Sequence, residues 1–201
     1  MCIRDSVETD RSSLVAGYLG QTAIKTKQVL ETAKGGILFI DEAYTLCQDD
    51  SHDQYGQEAI DTILKFMEDN RDDLIVIVAG YESKMAGFIE SNPGLKSRFS
   101  KYLHFPDYTA SELAAIFKEM ATRSQYNLSD SFASVLEHVC DLVVLRKNKN
   151  FGNGRTVRNL FERCISNQAN RVVSIPSPSN AQLVELTGED LSLEDVDLVM
   201  R

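Results

Sequence analysis

Two stretches of unbroken apolar character punctuate an otherwise amphipathic chain: Ile37-Leu38-Phe39-Ile40 and Leu74-Ile75-Val76-Ile77-Val78-Ala79. Runs of this kind read as strands buried on both faces, the habit of parallel sheets. Around them the apolar positions recur at helical spacing. Ala23, Val29, Leu30 and Ala33 predict a helix over Thr22–Lys34, stopped by Gly35-Gly36. Ile60, Ile63, Leu64 and Met67 mark one face of a second helix over Gln57–Glu68. The polar, acidic stretch from Cys47 to Tyr55 reads as an exposed loop. A short helix over Lys84–Glu90 leads to a turn at Asn92-Pro93-Gly94, and Tyr102-Leu103-His104-Phe105 reads as a third strand stopped by Pro106. Strands alternating with helices define an α/β sheet with helices on its faces.

After Pro106 the pattern is helical throughout. Ala110–Ser124, Asp130–Arg146 and Thr156–Val172 carry apolar residues at i, i+3 and i+4, with Thr109 and Ser129-Asp130 as N-caps. The chain therefore divides into an α/β part over 1–105, a small helical part over 106–173 and a tail over 174–201. The tail opens with the helix-breaking Ser174-Ile175-Pro176-Ser177-Pro178-Ser179. It then runs through the acidic Glu189-Asp190-Leu191-Ser192-Leu193-Glu194-Asp195-Val196-Asp197. That tail either adds a last short strand or helix or stays mobile.

Composition narrows the function classes. A net charge of −9 argues against a nucleic-acid surface as the main role. No run approaches the roughly 18 apolar residues that a membrane-spanning helix needs. Residues 1–6 are too short and polar for a signal peptide. Cys2, Cys47, Cys140 and Cys164 are scattered without C-x-x-C spacing, and His52, His104 and His138 are isolated. These thiols read as free cysteines of a reducing, cytoplasmic compartment, and the spacing speaks against a zinc site.

The chemistry concentrates at the end of the first apolar run, where Asp41 and Glu42 follow Ile40 directly. In open α/β sheets ligands bind at the C-terminal ends of strands. There one carboxylate can hold a hydrated Mg²⁺ ion against nucleotide phosphates and its neighbour can orient or deprotonate a water. Four apolar residues followed by Asp-Glu is the Walker B form of a P-loop ATPase; the alternative is a strand ending in a solvated polar turn. The partner motif G-x-x-x-x-G-K-[ST] is not among the 201 residues, and the pairs Gly17/Gly20 and Gly152/Gly154 lack its Lys-Ser/Thr ending. On a P-loop reading the first strand and phosphate loop would lie upstream of residue 1, and the chain would be a C-terminal fragment.

The pieces in this order resemble an AAA+ ATPase of the CbbX/CfxQ type, which includes stage V sporulation protein K. The resemblance runs from about Leu14 to Arg171. It is carried by Gly17-Tyr18-Leu19-Gly20-Gln21-Thr22, Asp41-Glu42-Ala43-Tyr44, Tyr55-Gly56-Gln57-Glu58-Ala59-Ile60 and Val78-Ala79-Gly80-Tyr81. Further matching stretches are Ser91-Asn92-Pro93-Gly94-Leu95-Lys96-Ser97-Arg98-Phe99, Phe105-Pro106-Asp107-Tyr108 and Phe151-Gly152-Asn153-Gly154-Arg155-Thr156-Val157-Arg158-Asn159. The fold it implies is α/β: part of a P-loop NTPase (AAA+) parallel sheet with flanking helices, followed by a small all-α lid domain. It implies ATP and Mg²⁺ as cofactors, a homo-oligomer in the form of a hexameric ring, and a protein substrate drawn through the pore.

The resemblance also implies roles. Asp41 coordinates Mg²⁺ through water and Glu42 polarises the attacking water. Arg98 is the arginine finger that reaches the γ-phosphate of the next subunit, a task suited to a permanently charged, bidentate guanidinium. Arg155 is the sensor 2 residue at the start of a lid helix, with Arg158, one turn on, as its alternative. Tyr18-Leu19-Gly20 is the central pore loop, whose aromatic ring grips an extended peptide without reading its sequence. Where many AAA+ proteins carry a polar sensor 1, this chain has Gly80-Tyr81. The lone chain is expected not to hydrolyse ATP. Two other classes stay open: a non-hydrolysing assembly or binding module, and an AAA+ ATPase acting on nucleic acid, against which the acidity and Tyr18 weigh.

Overall fold

The computed structural model describes residues 6–18, 20–47, 54–147 and 151–199, arranged in two compact units, Met1–Leu103 and His104–Arg201.

The first unit is a parallel sheet with helices. It runs β1 (Ser6–Thr9), α1 (Arg11–Leu14), α2 (Thr22–Ala33), β2 (Ile37–Ile40), a 3-10 turn (Ala43–Leu46), α3 (Gln54–Asp69), β3 (Ile75–Val78), α4 (Glu82–Glu90) and α5 (Pro93–Arg98). The strands lie in the order β1-β2-β3, with Val7 opposite Leu38 and Leu38 opposite Val76. The Asp41-Glu42 strand is thus the central one.

Its core is made by Leu14, Leu30, Leu38, Ile40, Leu46 and Ile60, all at or below 1% exposure. Leu38 and Ile40 alternate with half-buried Ile37 and Phe39, so β2 buries one face fully and the other in part. β3 departs further from the expected two-sided burial. Ile75 and Ile77 are 54% and 42% exposed. Among the described residues β3 is an edge strand of this sheet, which leaves part of its apolar run in the open.

Asn92-Pro93-Gly94, expected as a turn, starts α5: the Asn92 side chain accepts the Gly94 N–H at 2.8 Å and proline occupies the first helical position. Tyr102–Phe105, expected as a strand, is irregular, with Leu103 83% and Phe105 85% exposed. An apolar run becomes a strand only when a neighbour takes up its backbone hydrogen bonds. Among the described residues none pairs with it.

The second unit comprises α6 (Ala110–Arg123), β4 (Asn127–Leu128), α7 (Asp130–Leu145), α8 (Gly154–Val173), α9 (Asn180–Val184), β5 (Glu185–Leu186), a 3-10 turn (Gly188–Asp190) and α10 (Leu193–Val199). Thr109 with Glu112 forms a capping box on α6, and Ser129 caps α7. Phe117 lies at its centre, 5.3 Å from both Phe132 and Phe161 and edge-on to the latter. The unit is not purely helical, because β4 and β5 pair in parallel. The acidic stretch is built into this unit: its Leu191 and Val196 are 3% and 0% exposed.

Candidate active site

β2 ends in a corner that is held on every side. The Asp41 N–H continues the ladder to the Thr9 carbonyl at 2.9 Å, and the Ala43 N–H reaches the Ala79 carbonyl at 3.0 Å. Between them Glu42 sits at φ 47°, ψ 42°, in the left-handed region. For a residue with a Cβ this costs about 1–2 kcal/mol. Local bonds offset that cost. The Glu42 N–H donates to Asp41 Oδ1 at 2.9 Å, and its carbonyl accepts both the N–H and the hydroxyl of Thr45 at 2.8 Å. Strain held in place by surrounding bonds is characteristic of functional corners.

Both carboxylates are exposed and line an open groove of ≈ 620 Å³ together with Asp10, Arg11, Gly17 and Thr45. Among the described residues no three His, Cys, Asp or Glu side chains cluster as a metal cage. A hydrated Mg²⁺ ion, which keeps most of its water and takes one or two carboxylates plus substrate phosphates, needs no such cage, and Asp41 is a residue that would hold one. A bound ion would supply charge neutralisation at the phosphates.

The Tyr18 loop rises from the same region. Tyr18 is 73% exposed, Gly20 takes φ +78°, and Leu19 lies outside the described residues. The loop's feet are fixed to α2. Lys25 Nζ donates to the Ser12 and Val15 carbonyls at 2.7 and 2.9 Å, Thr26 Oγ1 to the Leu14 carbonyl, and the Ala16 N–H to Thr22 Oγ1. The aromatic ring thus stands in the open on anchored feet.

Arg98 does not line the groove. It ends α5 and pairs with Glu68 of α3 at 3.1 Å, its side chain 30% exposed. Arg155 and Arg158 belong to the second unit, exposed on the first two turns of α8. The approach to that helix is clasped. The Asn153 side chain accepts the Tyr108 N–H at 3.1 Å and faces Asp107 at 3.3 Å, with Asn153 itself at φ 51°. Within the first unit the structure thus brings together Asp41, Glu42 and the base of the Tyr18 loop, with Arg98 outside their groove.

Two features escaped the sequence reading. One is the support behind Glu42. A Cβ on Gly80 would lie 2.7 Å from the Tyr44 ring, and Lys84 Nζ stands 4.5 Å above that ring and 5.7 Å from Tyr81. Partial burial, then the neighbouring Glu42 carboxylate, raise the Tyr44 hydroxyl above its usual range. The glycine that closes the Leu74–Ala79 run was the available signal. The other is a pair of buried acids in the second unit, each answered by an arginine: Asp190 by Arg171 and Asp195 by Arg163, each at 2.8 Å. Nothing in an acidic run tells which acids are buried.

A parallel sheet with a paired acid at the end of its central strand, followed by a small unit of packed helices, is the architecture of a nucleotide-driven ATPase with its lid. The chain belongs to the AAA family, "ATPase family associated with various cellular activities", which matches residues 2–107, and the AAA lid domain matches residues 109–198. It is 45% identical over 188 residues to a protein CfxQ homolog of Guillardia theta. The match covers 92% of this chain and 63% of that protein. It is 43% identical over 188 residues to the chloroplastic ribulose bisphosphate carboxylase/oxygenase activase of Cyanidioschyzon merolae, again covering 92% and 63%. The chain thus spans less than two thirds of the length of these relatives. In fold it is similar to Hsp104 in a closed-state reconstruction with ATPγS and FITC casein, at TM-score 0.65 and 18% identity, over 96% of this chain and 33% of that one. Among the described residues no helix is long and apolar enough to cross a membrane.

Proposed function

We propose that the chain is the hydrolytic corner and lid of an ATP-driven protein-remodelling motor. The observation that carries this reading is the Asp41-Glu42 pair at the C-terminal end of the central parallel strand, with Glu42 held in a left-handed corner facing an open groove. Asp41 holds the hydrated Mg²⁺ and Glu42 polarises the attacking water, a division of labour that general-base catalysis makes worth about 10²–10⁴ in rate. Arg98 stabilises charge on the γ-phosphate bound by the next subunit of a homo-oligomeric, hexameric ring. To do so it leaves Glu68, a partly exposed ion pair worth little in water. Arg155, or Arg158, reads the nucleotide in cis. Tyr18, Leu19 and Gly20 grip a protein substrate at the axis. Similarity to a Rubisco activase supports a protein substrate. The setting proposed is the cytoplasm.

The absence of a G-x-x-x-x-G-K-[ST] string predicts that the 201 residues alone turn over no ATP, since nothing supplies the phosphate cradle. Adding a phosphate-binding segment should create turnover that Glu42→Gln abolishes while ATP binding survives. Robust turnover by the 201-residue chain, or by the Glu42→Gln protein, would overturn this reading.

A further inference from the structure

The bonds that hold Glu42 in its left-handed corner do not end at Thr45. Arg11, the first residue of α1, donates from Nη1 to the Thr45 carbonyl at 2.6 Å, across 34 positions of sequence. Thr45 in turn gives both its N–H and its hydroxyl to the Glu42 carbonyl. Arg11, Thr45, Asp41 and Glu42 line one groove. Arg11 is not adrift on a surface. Its helix begins at an N-cap, Asp10, whose carboxylate accepts the Ser13 N–H at 3.0 Å, and the following residues are tied to α2 through Lys25 and Thr26. Both ends of the link are therefore anchored, one in the segment that leads to Tyr18, the other in the turn that follows Glu42.

We propose that Arg11 is a positioning residue for Glu42: by gripping the Thr45 carbonyl it fixes the 3-10 turn over Ala43–Leu46 and so holds the Glu42 carboxylate where it meets water. The proposal rests on the reading of Glu42 given above. Its physical basis is that a strained backbone persists only while its surroundings over-determine it. A general base displaced by about 1 Å from its water loses on the order of 10²-fold in rate. Arginine suits the task because its rigid, planar guanidinium carries several donors and remains charged. It also brings a positive charge into a groove that holds Asp10, Asp41 and Glu42.

The test has two arms. In the 201-residue chain, amide hydrogen exchange should show Arg11→Met opening the turn. The Thr45 and Cys47 amides, which bond to the Glu42 and Tyr44 carbonyls, should exchange about tenfold faster or more. The Ile75 amide, bonded to the Gly36 carbonyl at the far end of the sheet, should be unchanged. Arg11→Lys, which keeps a charged donor, should fall between. In a protein that also carries the phosphate-binding segment, Arg11→Met should lower kcat about tenfold or more with KM for ATP within about twofold. Arg11→Lys should restore part of the loss. Unchanged exchange in the turn would overturn the proposal, as would a loosened turn with unchanged kcat. Retained turnover in Glu42→Gln would instead overturn the reading of Glu42, and with it the catalytic half of this proposal; the exchange arm alone still reports whether Arg11 holds the turn.

Discussion

The two units treat their polar residues in opposite ways. In the first, the polar groups that matter stand in the open: Asp41, Glu42 and Tyr18 are exposed, and the corner beneath them is strained. In the second, charge is buried and answered. Asp190 is 1% exposed, takes two bonds from Arg171 at 2.8 Å each, and also accepts the Thr187 N–H and hydroxyl. Asp195 is 3% exposed and is held by Arg163, Asn167 and Ser192. The difference teaches where each unit spends its electrostatics. Open carboxylates stay available to an ion and a water, whereas buried ones, fully satisfied, fix one packing of α8 against the segment over 187–199.

The largest break in this comparison should come from Arg98. In a protein able to turn over ATP, Arg98→Ala should cut hydrolysis on the order of 10³-fold with nucleotide binding nearly intact. Mixing it with Glu42→Gln subunits should restore part of the activity, because some interfaces then combine an intact Arg98 with an intact Glu42. A finger acting within its own subunit predicts no rescue at any ratio.

In the second unit, Asp190→Ala strips a buried partner from Arg171 and leaves the Thr187 donors unmet. Urea unfolding should show a loss of about 3 kcal/mol confined to that unit. Acid should act in the same direction. Burial pushes the Asp195 carboxyl up, but hydrogen bonds from Arg163 and Ser192 outweigh it and leave it below its usual value of 3.8. A depressed carboxylate contributes stability that is present above its unfolded pKa and lost as pH falls through the folded one. The unit should therefore be steady at neutral pH and weaken below about pH 4. Asp195→Asn should flatten that acid limb in a pH series of melting temperatures.

Gly80→Ala probes the support behind the open corner. A methyl group 2.7 Å from the Tyr44 ring and 2.9 Å from the Met85 sulfur has to displace one of them. The expected cost is about 1–3 kcal/mol, together with a shift in the Tyr44 environment visible by tyrosine absorbance or ring NMR. An unmoved Tyr44 would show that its stack with Lys84 does not need the glycine.

The smallest effect on stability is expected at Tyr18. The ring is 73% exposed, so Tyr18→Ala should change unfolding by less than about 0.5 kcal/mol. If the loop grips substrate, the same change should remove remodelling, and Tyr18→Phe should keep it, because grip needs the ring and not the hydroxyl. A large drop in melting temperature would return Tyr18 to a packing role.

How much of this was legible beforehand depends on whether the signal was local. β2, β3 and α6 to α8 announce themselves, since unbroken apolar runs and a 3.6-residue period are properties of neighbouring residues. β1 was missed: Ser6-Val7-Glu8-Thr9 carries one apolar residue, and it is a strand because β2 offers it hydrogen bonds. Tyr102–Phe105 shows the converse, a good strand composition that among the described residues takes no place in a sheet. The place of Asp41 and Glu42 at the end of a strand could be read from the four apolar residues before them. The Arg11–Thr45 link and the packing of Gly80 against Tyr44 could not, because each joins residues about 35 positions apart that only folding brings together.

By itself, then, the sequence determined the periodic elements and the position of Asp41 and Glu42 at a strand end. Each of these follows from side chains within a turn or two of one another. Tertiary structure alone decided which acids are buried and which face water, since that rests on arginines 19 and 32 residues away, at Arg171 for Asp190 and Arg163 for Asp195. It also decided that Glu42 could sit in a strained corner. A left-handed glutamate is unfavourable in an isolated chain and is stable only where Asp41, Thr45 and the neighbouring strands hold it.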